Sequence, residues 1–157
     1  MGRATTWGMW RSRAVVAAAL VVGLGRSAVA QFSSVRVSGS PATMRVSGST
    51  AGAGPAPAVE SSTAYTFANL FGTKKITAQL NTSMPTGVTL SATFDAPKGA
   101  TSIPNVHLDA TARDVVTGLG FTLGSTEGIT YMLSATPAAG VVPQQSRTVT
   151  LTVVTAP

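Results

Sequence analysis

The chain has 157 residues, of which 44% are hydrophobic and 10% charged, and its formal net charge is +6. It contains no cysteine, which excludes a disulfide framework. Four of the eleven basic residues lie in the first 30, so residues 31–157 hold seven basic and five acidic residues, a net charge of +2. So small and scattered a charge excludes the dense phosphate-binding surface of a nucleic-acid-binding protein.

The first 30 residues have the organisation of a secretory signal peptide. Three arginines precede an apolar run of twelve residues (14–25), which is too short to cross a hydrocarbon core of about 30 Å as a helix. The sequence Ala28-Val29-Ala30 fits a signal-peptidase site and makes Gln31 the first mature residue. An uncleaved anchor is the alternative. We expect cleavage, a secreted, periplasmic or cell-surface location, and no membrane span in the mature chain.

Residues 31–60 form the next segment, which contains a short duplication. The sequence Arg-Val-Ser-Gly-Ser begins at Arg36 and again at Arg45, and a Gly/Pro/Ala-rich stretch (residues 51–58) follows. We interpret the duplication as two short strands and the stretch as a loop. The apolar side chains of these strands occupy alternate positions: Val35, Val37, Met44 and Val46. The strands either belong to the chain's own sandwich, which we favour, or add to the open edge of another copy or of a surface protein.

Residues 61–157 consist mainly of segments in which apolar and polar residues alternate. In residues 147–155, Val149, Leu151 and Val153 alternate with threonines, which places the apolar side chains on one face of a strand. The same pattern predicts strands at residues 63–68, 75–81, 88–94, 105–113 and 129–135, a short strand at 120–123, and hairpin loops at 69–73 and 124–128. The sequence therefore predicts an all-β protein, a single antiparallel immunoglobulin-like β-sandwich of about seven to eight strands spanning residues 61–157 and preceded by a signal peptide.

The region from Tyr65 to Pro157 resembles one domain of the bacterial immunoglobulin-like β-sandwich type found in exported surface and pilin-like proteins. The matching features are the alternating threonine-rich strands, the turn and strand from Pro85 to Leu90 (P-T-G-V-T-L), and the final Thr-Val-Thr-Leu-Thr-Val sequence. The chain differs from chaperone–usher pilins, because it has no cysteine and ends in Thr-Ala-Pro. The resemblance implies a fold and a compartment, and it transfers no functional residue.

His107 is the only histidine, and it shares the outward face of a predicted strand with Asp109. This pair could act as a base and its orienting acid in a hydrolase, or as half of a metal site. Asp109 and Asp114 are the best candidates for calcium ligands, although the acidic residues are isolated along the sequence. A solvent-facing polar strand explains these residues more simply, and a transition-metal site needs three or four ligands. We therefore predict no enzymatic activity, cofactor or metal.

Two aromatic residues, Phe71 and Phe121, lie beside glycines near predicted loops and are the best candidates for an exposed ligand-binding surface. The remaining aromatic residues of the mature chain have the spacing of core residues. The composition, leader and threonine-rich faces favour a non-enzymatic exported protein with a structural or adhesive role at the bacterial cell surface or in the periplasm. The alternative is a module that binds a glycan or another extracellular ligand.

Overall fold

The computed structural model describes residues 32–47 and 54–157. The predicted signal peptide, its cleavage site and the start of the Gly/Pro/Ala-rich stretch lie outside these residues. The described residues form nine β-strands and one short 3-10 helix, Pro137–Ala139. Within these ranges, no helix has the length and apolar character needed to cross a bilayer.

The strands form two antiparallel sheets, which confirms the all-β prediction. The first sheet has the order β1 (Ser33–Ser38), β2 (Ala58–Asn69), β8 (Thr122–Ala135), β4 (Val88–Phe94) and β6 (Val106–His107). The second has the order β5 (Thr101–Ser102), β7 (Arg113–Leu119), β3 (Lys74–Leu80) and β9 (Val149–Thr155). The edge strands β1 and β9 come within 8 Å of each other, Cα to Cα, although they belong to different sheets.

The core lies between the sheets, and most of its residues are ones that the alternation predicts to face inward; Val115, Val116 and Leu119 of β7 belong to it without such a prediction. In β3, Ile76, Ala78 and Leu80 are buried, as the period of two requires. The buried rings of Tyr65 and Phe94 meet with centroids 5.8 Å apart and planes inclined at 60°. Each fully buried large apolar side chain contributes about 1.5–3 kcal/mol to the transfer free energy that favours folding.

The two predicted hairpin loops are wrong. The loop after Asn69 connects β2 to β3, and these strands lie in different sheets. Residues 124–128 lie inside the long strand β8, where Ser125 to Gly128 pair with Phe67 to Ala64 of β2. The alternating pattern reports which face of a strand is buried and not which strand lies beside it. The pairing of neighbouring strands was predicted from the loops alone, and that prediction was wrong.

The prediction of one strand over residues 105–113 is also wrong. Only Val106 and His107 form a strand there, and Leu108 is buried with its N–H donated to the Leu90 carbonyl oxygen, 2.9 Å away. Asp109 then accepts the Thr111 N–H at 2.7 Å, which bends the backbone away from an extended conformation. Strand β7 begins afterwards and lies mostly between the strands predicted at residues 105–113 and 120–123.

The segment that precedes the predicted sandwich domain is joined to it. Strand β1 pairs with β2, and β2 itself begins at Ala58, three residues before the predicted domain start. Residues 40–47, which include the first three residues of the second copy of the duplicated sequence, form no strand. The structure therefore places residues 33–47 against the chain's own sheets.

Candidate functional site

The two loops that carry Phe71 and Phe121 meet at one end of the sandwich. Both loops cross between the sheets, one from β2 to β3 and the other from β7 to β8. The rings of Phe71 and Phe121 are 49% and 69% exposed. Phe32 and Leu123 lie beside these loops and are also exposed. We call these four residues the aromatic end.

The side chain of Asn69 holds the two loops together. It is completely buried, and its Nδ2 donates to the carbonyl oxygens of Gly72 and Gly120 at 2.8 and 3.1 Å. Its Oδ1 accepts the Phe71 N–H at 3.4 Å. Because these bonds reach both loops, they place Phe71 and Phe121 on the same surface. The sequence analysis missed Asn69; an asparagine at the end of a strand, just before a Gly-containing loop, is the signal that could have found it.

The second feature is a large open groove along one side of the sandwich. It has a volume of about 1610 Å³, and its floor includes Leu90, Tyr131 and Leu133 from the first sheet. Strand β9 forms one wall, and β1 together with residues 39–47 forms another. Burial raises the pKa of Tyr131 to about 12, so its phenol is neutral at physiological pH. The groove is larger than a usual small-molecule site, and residues from Val149 to Val153 of β9 line it.

Strand β9 presents a free edge to this groove. The Thr148 carbonyl oxygen accepts a hydrogen bond from the Asn81 N–H, and the Ala156 N–H donates to the Thr73 carbonyl oxygen. The backbone groups of the even-numbered residues therefore point towards β3. Successive residues of an antiparallel strand direct their backbone groups to opposite sides, so the N–H and C=O of the odd-numbered residues point away from β3. These residues are Val149, Leu151, Val153 and Thr155. No described strand pairs with β9 on that side.

The free edge lacks three of the features that usually protect such edges: a charged residue, a proline and a bulge. Its sequence, V-T-L-T-V-V-T, contains no charge and no proline. Its register with β3 is unbroken from Lys74–Thr155 to Leu80–Val149, so no bulge twists the edge away. Edge strands are normally guarded by such devices because an unguarded edge pairs with other chains.

Residues 39–47, which form the opposite wall, are anchored to β2 at a bulge. Gly39 packs so closely that a Cβ there would lie 2.6 Å from the Ser62 carbonyl oxygen, and its φ is +86°. The Ser62 hydroxyl lies 3.3 Å from the Ser40 carbonyl oxygen and also contacts the Glu60 carboxylate. Hydrogen bonding from the Ser62 hydroxyl is the main cause that lowers the pKa of Glu60; the N–H groups of Ser62 and Ala42 contribute.

The four candidates for strand addition occupy different environments. Val35 and Met44 pack against the core, Val46 is half-buried, and Val37 is 46% exposed. Val35 and Val37 lie in β1, opposite Phe67 and Tyr65 of β2. All four therefore contact or flank the groove within their own molecule.

Among the described residues, no hydrogen bond joins His107 to Asp109. The Asp109 carboxylate contacts Arg113 Nη2 at 2.6 Å and accepts the Thr111 N–H. The Arg113 hydrogen bond is the main reason that the pKa of Asp109 is lowered, with the Thr111 N–H second. This carboxylate therefore closes a surface turn.

The acidic residues considered as metal ligands each have a basic partner. Asp114, in β7, lies 3.0 Å from the ammonium group of Lys75 in β3, and Asp109 pairs with Arg113. Across residues 32–47 and 54–157, no three His, Asp or Glu side chains are grouped closely enough to hold a metal ion.

Comparisons with known proteins give no relative from which a role could be transferred. No protein-family model, no curated protein and no solved structure matches the chain significantly. The aromatic end and the groove are therefore the two surfaces from which a function is inferred.

Proposed function

We propose that the chain is an exported, non-enzymatic β-sandwich with a structural or adhesive role at the bacterial cell surface or in the periplasm, and that copies associate at the edge of β9. The free, uncharged edge of β9 beside the groove is the observation that carries this proposal. Association would pair the outward N–H and C=O groups of Val149, Leu151 and Val153, beside which no described strand pairs.

The strand order supports an immunoglobulin-like arrangement with one position open. Strands β1-β2-β8-β4 can be matched to A-B-E-D of a constant-type immunoglobulin sandwich and β3-β9 to C-F, which leaves β5, β6 and β7 outside the match. In that fold strand G pairs with the far side of F. No described strand fills this place beside β9. A strand from another molecule would complete the sheet.

The test is the association state of the exported protein. The full chain is expressed, and the protein is purified from the extracytoplasmic fraction and examined by size-exclusion chromatography with light scattering across a range of concentrations. We expect concentration-dependent association. The variant Thr152→Lys adds a guarding charge to the edge and should weaken association by about tenfold or more.

Two further variants make this result specific. Thr130→Lys places the same charge on an exposed position of β8, a central strand, and should leave association unchanged. Val149→Pro removes one outward N–H at the first residue of β9, where proline is tolerated, and should weaken association. A protein that is monomeric at all concentrations would contradict the proposal.

A second candidate function is the binding of a glycan or another extracellular ligand at the aromatic end. It is favoured by one observation, that Asn69 holds two exposed phenyl rings on the same surface. A glycan array probed with the wild-type protein and with Phe71→Ser and Phe121→Ser tests it. Val141→Ser is the matched control, because Val141 is fully exposed in a different loop. Signals that are lost in both phenylalanine variants and kept in the control would support this function.

A further inference from the structure

Residues 39–47 line the groove without joining either sheet. They face β9 across it, and Met44 packs against the core. Residues 40–47 nevertheless form no strand, although the edges of both sheets border the same groove. This segment therefore has apolar contacts like those of a strand in the sandwich but lacks a backbone ladder.

We propose that residues 40–47 are a displaceable cover of the groove, and that in the assembled protein residues 43–47 of a second copy pair with the free edge of β9. This inference rests on the proposed function, because it presupposes association at β9. It identifies the incoming strand as residues 43–47 of a second copy, and it identifies residues 40–47 of the first copy as the segment that this strand must displace.

The sequence of the cover suits the position of an added strand. Met44 and Val46 alternate with the polar residues Thr43, Arg45 and Ser47. In a strand, the side chains of Met44 and Val46 would face the apolar floor of the groove, and the polar side chains between and beside them would face solvent. Met44 already packs against the core beside the groove in its own molecule, so the apolar surroundings there suit this side chain.

The anchor at β2 explains why the cover does not pair with β9 in its own molecule. Gly39 packs tightly on Ser62, and the Ser62 hydroxyl contacts both Ser40 and Glu60. These contacts hold the beginning of the segment on the first sheet, whereas β9 belongs to the second. The same residues from a second copy have no such restriction and can approach β9 along its full length of seven residues.

Because the chain contains no cysteine, intermolecular disulfide formation can test this pairing. Two preparations of the exported protein, one carrying Arg45→Cys and the other Thr150→Cys or Thr152→Cys, are mixed and oxidised. All three positions are exposed, so the new thiols would lie on the solvent face of adjacent strands, within the short Cα separation that a disulfide requires. The control mixes Arg45→Cys with Thr130→Cys, an exposed position on β8.

We expect a mixed disulfide between Arg45→Cys and at least one β9 variant, with a yield about tenfold above the control, since misaligned cysteines cannot be bridged. Ser62→Ala weakens the anchor and should increase this yield. An unchanged yield in Ser62→Ala would overturn the assignment of residues 40–47 as a competing cover.

The outcomes separate this inference from the proposed function. If the Thr150→Cys protein forms disulfide-linked dimers alone and never links to Arg45→Cys, two β9 edges pair with each other, which overturns this inference and keeps the proposed function. If the wild-type protein does not associate at any concentration, both are overturned.

Discussion

Removing the side chain of Asn69 is predicted to destabilise the sandwich and to separate the two loops of the aromatic end. In Asn69→Ala, the carbonyl oxygens of Gly72 and Gly120 and the Phe71 N–H all lose a partner. A buried polar group left without a partner costs about 1–3 kcal/mol, and the loop groups can recover part of this from water. We therefore expect the free energy of unfolding to fall by about 3 kcal/mol.

Urea denaturation followed by circular dichroism measures this loss. The midpoint should fall while the slope of the transition stays constant, because the area exposed on unfolding is little changed. Asn69→Asp is the informative companion variant: it keeps the acceptor for Phe71 but directs a carboxylate at two carbonyl oxygens, so it should be at least as destabilising. A loss below about 1 kcal/mol in Asn69→Ala would refute the reasoning, since that is the value of a single ordinary hydrogen bond.

Three further predictions concern other parts of the molecule. Tyr65→Phe removes the hydroxyl that donates to the Asp95 carbonyl oxygen while keeping the ring against Phe94, so it should cost about 1–2 kcal/mol in the same denaturation assay; no change would contradict that hydrogen bond. Hydrogen bonds lower the folded-state pKa of Glu60, so the carboxylate should stabilise the fold fully above its unfolded-state pKa of about 4.5 and lose this effect as the pH falls through the lowered folded-state pKa. The difference in urea midpoint between wild type and Glu60→Gln should therefore shrink as the pH falls over this range. A difference that does not depend on pH would contradict this prediction. Export of the full chain should yield a mature protein that begins at Gln31 on N-terminal sequencing; a protein that keeps residues 1–30 would instead favour the anchor.

Alternation along the sequence predicted the strands whose two faces differ in polarity. Strand β4 has the bounds that its pattern predicts, and β3 and β9 differ from theirs by one or two residues. Side-chain burial follows directly from the period of two, so the buried positions of β3 could be predicted without knowledge of the fold. The pattern failed after Val106, where the turn closed by Asp109 replaced an extended strand.

The functional surfaces could be predicted only in part. The exposure of Phe71 and Phe121 followed from their neighbouring glycines, but their common location depends on Asn69, whose bond to Gly120 spans 51 residues of sequence. The free edge of β9 could not be predicted, because the sequence of a strand reports the polarity of its faces and not the number of its neighbours. Strand order is a property of the whole fold, and it decides which backbone groups remain open.

Amide hydrogen exchange at β9 tests the central proposal, association at its edge, most directly. In dilute protein, the N–H groups of Val149, Leu151 and Val153 should exchange rapidly, while those of Thr150 and Thr152, which bond to β3, should be protected. In concentrated protein, the first three should become protected as a second chain pairs with the edge. Exchange at these three amides that stays rapid at every concentration would contradict association at β9.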